Sequence, residues 1–260
     1  MKNLYKLLII IGIILLSFIA ANFLNGSRKP DALYQISTLQ ALIQGGYDGE
    51  TTISDLVKHG DYGLGTFDGL DGEMIVLDGK VYKGKVDGKI YAVKQNEITP
   101  FANVAFIKTN KEKIVSFAGG YKNLKNQLNH LYQTGNIPIV FYAKGDFKNL
   151  TYRSVPKQKK PYFALTEVVK EQAIFKKENI SGFIIGFYFP PYMKDINANG
   201  YHLHFISSDK KYGGHLLNVE AGNIKVKAQK LDCFSVLLPN NIEGINLKKS
   251  KSQDVATVEK

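Results

Sequence analysis

The chain has 260 residues, a formal net charge of +11, five histidines and one cysteine. Cys233 alone excludes an intramolecular disulfide framework, and the roughly 230 residues beyond the N-terminal segment suffice for a core that folds without staples. The positive excess is mostly lysine spread along the chain, with small clusters at Lys157, Lys159, Lys160 and at Lys248, Lys249, Lys251. No basic helix interleaved with exposed aromatics is visible, which argues against nucleic acid as a partner.

In chain order, Lys2 and Lys6 precede an uncharged apolar run from Leu7 to Ala21, followed by polar Asn25 to Lys29. That order is an export signal. The run is shorter than the roughly 20 residues of a spanning helix, so residues 1–28 read as a signal peptide, with a retained membrane anchor through residues 7–24 as the alternative. Either places the remainder outside the membrane, secreted or at the cell surface.

Short helices are expected at Leu39 to Gln44 and Ile53 to Lys58, each stopped by glycine. Met74 to Leu77, Lys80 to Val86 and Lys89 to Val93, separated by Asp78-Gly79 and Asp87-Gly88, read as a meander of two tight hairpins. Strands follow at Phe101 to Lys108, Lys113 to Ala118, Ile137 to Ala143 and Leu150 to Val155, with a helix near Leu124 to Gln133. Pro156 and Pro161 bracket a lysine-rich stretch that marks a boundary between residues 29–156 and 157–260. The second half opens with a helix at Leu165 to Gln172. It continues with strands at Gly182 to Phe189, Tyr201 to Ile206, Gly214 to Glu220, Gly222 to Lys230 and Phe234 to Leu238. Strands grouped in each half with few helices predict an α+β, β-rich fold of two packed subdomains, each on a mixed or antiparallel sheet.

Three of the five histidines fall between Gly200 and His215. On a strand, His202 and His204 share a face because side chains alternate. If Ser208 to Lys211 form a four-residue hairpin loop, His215 lies directly opposite His204 and three imidazoles converge. Three histidines with an open fourth position are the usual ligand set of a catalytic metal site. Zinc suits them, although iron, copper, nickel or cobalt would also be accepted. His59 and His130 read as structural or exposed.

Arg28 and Arg153 are the only arginines in a lysine-rich chain. A guanidinium offers a rigid fork of donors that matches a carboxylate, which singles out Arg153. Glu73, ahead of the apolar run Met74 to Val76, is a candidate proton carrier if its strand is partly buried; a strand-edge surface carboxylate is the competing reading.

Several segments together resemble the acetolactate decarboxylase family over nearly all of residues 31–260. They are Leu33-Tyr-Gln-Ile-Ser-Thr-Leu-Gln-Ala-Leu42, Gly60-Asp-Tyr-Gly-Leu-Gly-Thr-Phe-Asp-Gly-Leu-Asp-Gly-Glu73, Thr99-Pro-Phe101, Tyr152-Arg-Ser-Val-Pro156, Gly200-Tyr-His-Leu-His-Phe205 and Gly213-Gly-His215. The resemblance implies Zn2+ on His202, His204 and His215. It implies catalytic roles for Glu73, Arg153 and the C-terminal Glu259, with Thr66 and Arg153 binding substrate. The implied reaction is decarboxylation of 2-acetolactate to (R)-acetoin through an enediolate whose charge the metal stabilises, and the implied assembly is a homodimer. Two other readings remain open on the residues alone. A cupin-type metal oxygenase shares Gly-x5-His-x-His but wants a glutamate soon after it, where this chain has Ser207 and Ser208. A non-enzymatic extracellular zinc-binding domain would need neither Arg153 nor Glu73.

Overall fold

The structure, a computed structural model, describes residues 30–116, 119–247 and 252–258. The export segment and Glu259 lie outside the described residues. Among the described residues no helix is long and apolar enough to cross a membrane.

The first part of the chain forms β1 (Ala32–Ile36), α1 (Leu39–Ile43), β2 (Thr51–Thr52), α2 (Ile53–Leu56) and β3 (Tyr62–Thr66). Then come β4 (Glu73–Leu77), β5 (Lys80–Gly84), β6 (Ile90–Ala92), β7 (Ile98–Thr99) and β8 (Ala102–Ala105). Thr38 and Thr52 start the first two helices, each hydroxyl accepting from an amide three residues on and satisfying a donor that the first turn leaves open. β4 and β5 turn at Asp78 and Gly79, both at positive φ (51° and 71°), as a two-residue hairpin requires. The second expected tight hairpin is longer. Lys85 and Lys89 still bond to each other, and Gly88 at φ 75° closes a three-residue loop.

The rest of the chain forms β9 (Lys113–Ser116), α3 (Tyr121–Tyr132), β10 (Ile139–Ser154), α4 (Leu165–Val168), β11 (Ala173–Phe189), β12 (Gly200–Ser207), β13 (Gly213–Lys230), β14 (Cys233–Leu237) and α5 (Ser252–Val258). β10, β11 and β13 run far beyond the segments expected from apolar runs, joining Ile137–Ala143 to Leu150–Val155 and Gly214–Glu220 to Gly222–Lys230. The polar stretch Lys144 to Asn149 looks like a turn in sequence. Its backbone is nevertheless paired on both sides, with register shifts absorbing the irregularity against β13.

Two main sheets result. One has the order β14-β1-β8-β3-β4-β5-β6, antiparallel except for the parallel pair of β1 with β14. The other is antiparallel, and its pairings close on themselves: β10 pairs with β11 and β13, and β12 lies between those two. Both sheets take strands from either side of Pro156, and Asp31–Lys260 form one unit. The lysine-rich stretch expected to separate subdomains is therefore a connection from β10 to α4 and divides neither sheet.

The core has three parts. Leu203, Phe205, Leu216, Phe141 and Phe147 fill the interior of the closed sheet. Ile36, Phe67, Met74, Val76 and Val104 cover the outer face of the seven-stranded sheet. Between the sheets, Leu33, Leu64, Ile75 and Leu77 pack with Val140, Ile185, Phe187 and Ile206. Each such fully buried side chain contributes roughly 1.5–3 kcal/mol, and the site is built into this last layer.

Candidate metal centre and active site

Alternation along β12 sorts its side chains. Leu203 and Phe205 enter the closed sheet, while His202, His204 and Ile206 turn toward the other sheet. β13 returns in the register expected from the hairpin, with His215 directly opposite His204. Before His215, Gly214 allows the strands to come close: a Cβ there would lie 2.3 Å from the Arg153 carbonyl oxygen. On the next strand Arg153 stands opposite His215. Arg153, His215 and His204 thus form a row across three neighbouring strands.

The three imidazoles are buried, each offering one nitrogen, and these nitrogens lie within 4.8 Å of one another. This is the only such group among the described residues. His204 Nδ1 lies 2.8 Å from the Met74 carbonyl oxygen on β4. A carbonyl can only accept, so that nitrogen carries the proton and Nε2 presents its lone pair to the cluster, 3.2 Å from His202 Nε2. Burial pushes His204 down to about 3, the Arg153 charge adding to it and the Met74 bond opposing it. His202 falls well below the usual range through burial, then through His204 and Arg153. Convergent nitrogens, with His202 and His204 kept neutral by burial and the His204 tautomer fixed, fit a divalent metal that takes imidazole ligands.

Glu73 enters from the facing sheet at the start of β4, paired across from Thr66. Its Oε1 accepts from Arg153 Nη1 at 3.2 Å, and its Oε2 lies 3.6 Å from His204 Nε2. Burial raises its pKa to about 6 and the Arg153 guanidinium pulls the other way. The surface reading of Glu73 is excluded by this burial. Arg153 is also buried, its Nη2 donates to the Val258 carbonyl oxygen at 2.6 Å, and its Nε has no hydrogen-bond partner among the described residues. The Thr66 hydroxyl donates to the Gly72 carbonyl oxygen at 2.7 Å.

Glu73, Arg153, Thr66, His202 and His215 border one small cavity of about 40 Å³, closed on its apolar side by residues including Leu39, Leu42, Phe101, Leu165 and Val258. Sequence reading gave no role to this wall, because apolar residues at helix and strand positions look the same whether they line a cavity or fill a core. The Met74 and Val258 carbonyls were equally invisible, since every residue has one. His59 stacks on Tyr34, with ring centres 3.7 Å apart, and His130 is exposed; neither joins the cluster.

The fold and site define a β-rich protein with a buried three-histidine centre facing a carboxylate and a guanidinium across a small cavity. The family model described as Alpha-acetolactate decarboxylase matches residues 33–246. An alpha-acetolactate decarboxylase of Methanosarcina mazei is 39% identical over 90% of this chain and 82% of its own. That of Bacillus licheniformis is 34% identical over 89% and 92%. The crystal structure of alpha-acetolactate decarboxylase from Bacillus subtilis strain 168 superposes with a TM-score of 0.84 at 32% identity, covering 88% of this chain and 99% of that one. The chain belongs to the alpha-acetolactate decarboxylase family and is a carboxy-lyase.

Proposed function

We propose that this protein is a zinc-dependent enzyme that decarboxylates 2-acetolactate to (R)-acetoin through an enediolate. The observation that carries the reading is the convergence of His202, His204 and His215 beside Glu73 and Arg153, with His202, His215, Glu73 and Arg153 bordering one small cavity. His202, His204 and His215 would hold the zinc, which when bound would supply a Lewis acid for the charge left on the substrate as CO2 departs.

The protein's own groups do the rest. Arg153 orients the substrate carboxylate. Nε and Nη2 share one edge of the guanidinium; Nε has no partner among the described residues, and Nη2 meets only a neutral carbonyl that a carboxylate would outcompete. With a pKa raised to about 6, Glu73 can hold and release a proton near neutrality. Delivered from one side of the cavity, that proton would set a single configuration at the new C–H carbon. Glu259 is proposed to share the proton relay and Thr66 to line the substrate. The apolar wall suits the substrate's two methyl groups and keeps water from the developing charge.

CO2 and acetoin release from racemic 2-acetolactate, before and after metal stripping and zinc readdition, tests this reading. Zinc-dependent turnover that is lost in His204→Ala is expected. A folded, zinc-loaded protein without turnover would sink it.

The export signal supports placement outside the membrane, secreted or anchored through residues 7–24. Activity confined to the cytosolic fraction would count against that. A homodimer is proposed from the family resemblance, and sedimentation of the purified chain would reveal a monomer if the proposal is wrong.

A further inference from the structure

The corner that delivers Glu73 has an unusual backbone. Gly69, Leu70 and Gly72 all have positive φ, at 67°, 58° and 88°. For leucine that conformation is strained and persists only where its surroundings hold it. Leu70 and Glu73 both line the cavity, so the strained corner forms part of the site's wall.

Backbone bonds from Gly69 N to the Tyr47 carbonyl oxygen and from Gln158 N to the Gly69 carbonyl oxygen hold the corner from outside, and so do Lys85, 3.5 Å from Asp71 Oδ2, and the buried Lys83. This lysine is buried on β5, paired across from Met74, and so stands on the face of the sheet opposite Glu73. Its ammonium lies 3.2 Å from Asp71 Oδ2, 2.5 Å from Glu97 Oε2 and 4.3 Å from the centre of the Phe67 ring. Phe67 opens the corner and Asp71 is two residues before Glu73. Glu97 belongs to the loop ahead of β7, where the Thr99 hydroxyl donates to the Thr66 carbonyl oxygen at 2.8 Å. The Lys83 charge therefore ties the corner from Phe67 to Asp71 to the Glu97 loop, and each of these two segments supports a cavity residue. Burying an ammonium is costly, and an apolar side chain of similar volume often serves stability as well or better. The lysine's position calls for a role that a methionine could not fill.

We infer that Lys83 is a positioning residue, pinning Phe67, Asp71 and Glu97 so that the corner aims Glu73 at the reacting carbon. The inference rests on the reading of Glu73 as the proton carrier. It touches no reacting group, so its effect must run through the direction of proton delivery.

The test uses Lys83→Met and Asp71→Asn in the full chain loaded with zinc. Readouts are kcat, KM, bound metal and the enantiomeric ratio of acetoin after subtraction of uncatalysed product. Metal content and KM are expected to stay unchanged. By contrast, kcat falls by about ten- to a hundredfold, the scale of a small misplacement of a reacting group, and the enantiomeric excess drops because a mis-aimed carboxyl reaches both faces. A purely structural lysine would lower the unfolding temperature without moving the enantiomeric ratio. Glu73→Gln is measured alongside. Retained rate and enantiomeric ratio in Glu73→Gln would remove the proton-carrier reading itself. Loss in Glu73→Gln, with rate and ratio both unchanged in a folded Lys83→Met, overturns the role of Lys83 alone. If Lys83→Met fails to fold, Asp71→Asn changes only a half-buried side chain and decides by the same readouts.

Discussion

At the residue scale, burial decides protonation. With its pKa near 3 against 6.5 for the free side chain, His204 binds less proton in the folded state than in the unfolded one, and His202 is shifted in the same direction. Their contribution to stability is complete above about pH 6.5 and is lost as pH falls. Glu73 works oppositely between about 4.5 and 6, because the folded state holds its proton more tightly there. The metal-free chain should therefore lose stability below pH 6.5, by about 1.4 kcal/mol per pH unit for each unbalanced proton. The loss should steepen below about 4.5, where the Glu73 offset ends. Denaturant titrations in chelator at a series of pH values measure it, and a flat profile between pH 6.5 and 4 would contradict the neutral histidines. Arg153→Lys keeps the charge but loses the planar fork, so kcat/KM should fall by about a hundredfold while metal content holds. The histidines and Arg153 were legible as residue types, the first by spacing and the second as the lone guanidinium beyond the export segment.

At the element scale, the hairpin carrying the histidines was readable from alternation and loop length, both local rules. The lengths of β10, β11 and β13 were not, because continuous pairing is decided by neighbours distant in sequence, and polar residues such as Lys144 and Asn149 are tolerated where a strand faces solvent. α5 was missed for a related reason: a seven-residue helix depends on the surface it packs against. Contact between β10 and β13 also depends on Gly214. Gly214→Ala would bring a Cβ to 2.3 Å from the Arg153 carbonyl oxygen and force the strands apart. A loss of about 1–3 kcal/mol is expected, together with weaker metal retention as His215 moves with its strand. Thermal unfolding and metal analysis of the purified variant measure the two effects, and an unchanged metal content would show that the hairpin carries His215 independently of β10.

At the scale of the whole molecule, the site belongs to the interface between two sheets. Three histidines and Arg153 come from one, Glu73 and Thr66 from the other. Metal that binds only the folded chain should raise its stability by about 2.7 kcal/mol at a hundredfold excess over Kd. A thermal shift of several degrees on zinc addition, absent in His202→Ala, measures this. The division of the chain near residue 156 had no counterpart because a proline pair reports local backbone stiffness, whereas partition into sheets is set by which apolar faces meet. One consequence follows from the bond between His204 Nδ1 and the Met74 carbonyl, which joins the three-histidine cluster to a strand of the opposite sheet. It makes the cluster an internal strain gauge. If the three histidines are loaded with cobalt, the visible absorption band would register a shift between the sheets, so a substitution confined to the layer around Ile75 and Ile185 should change the colour of the protein.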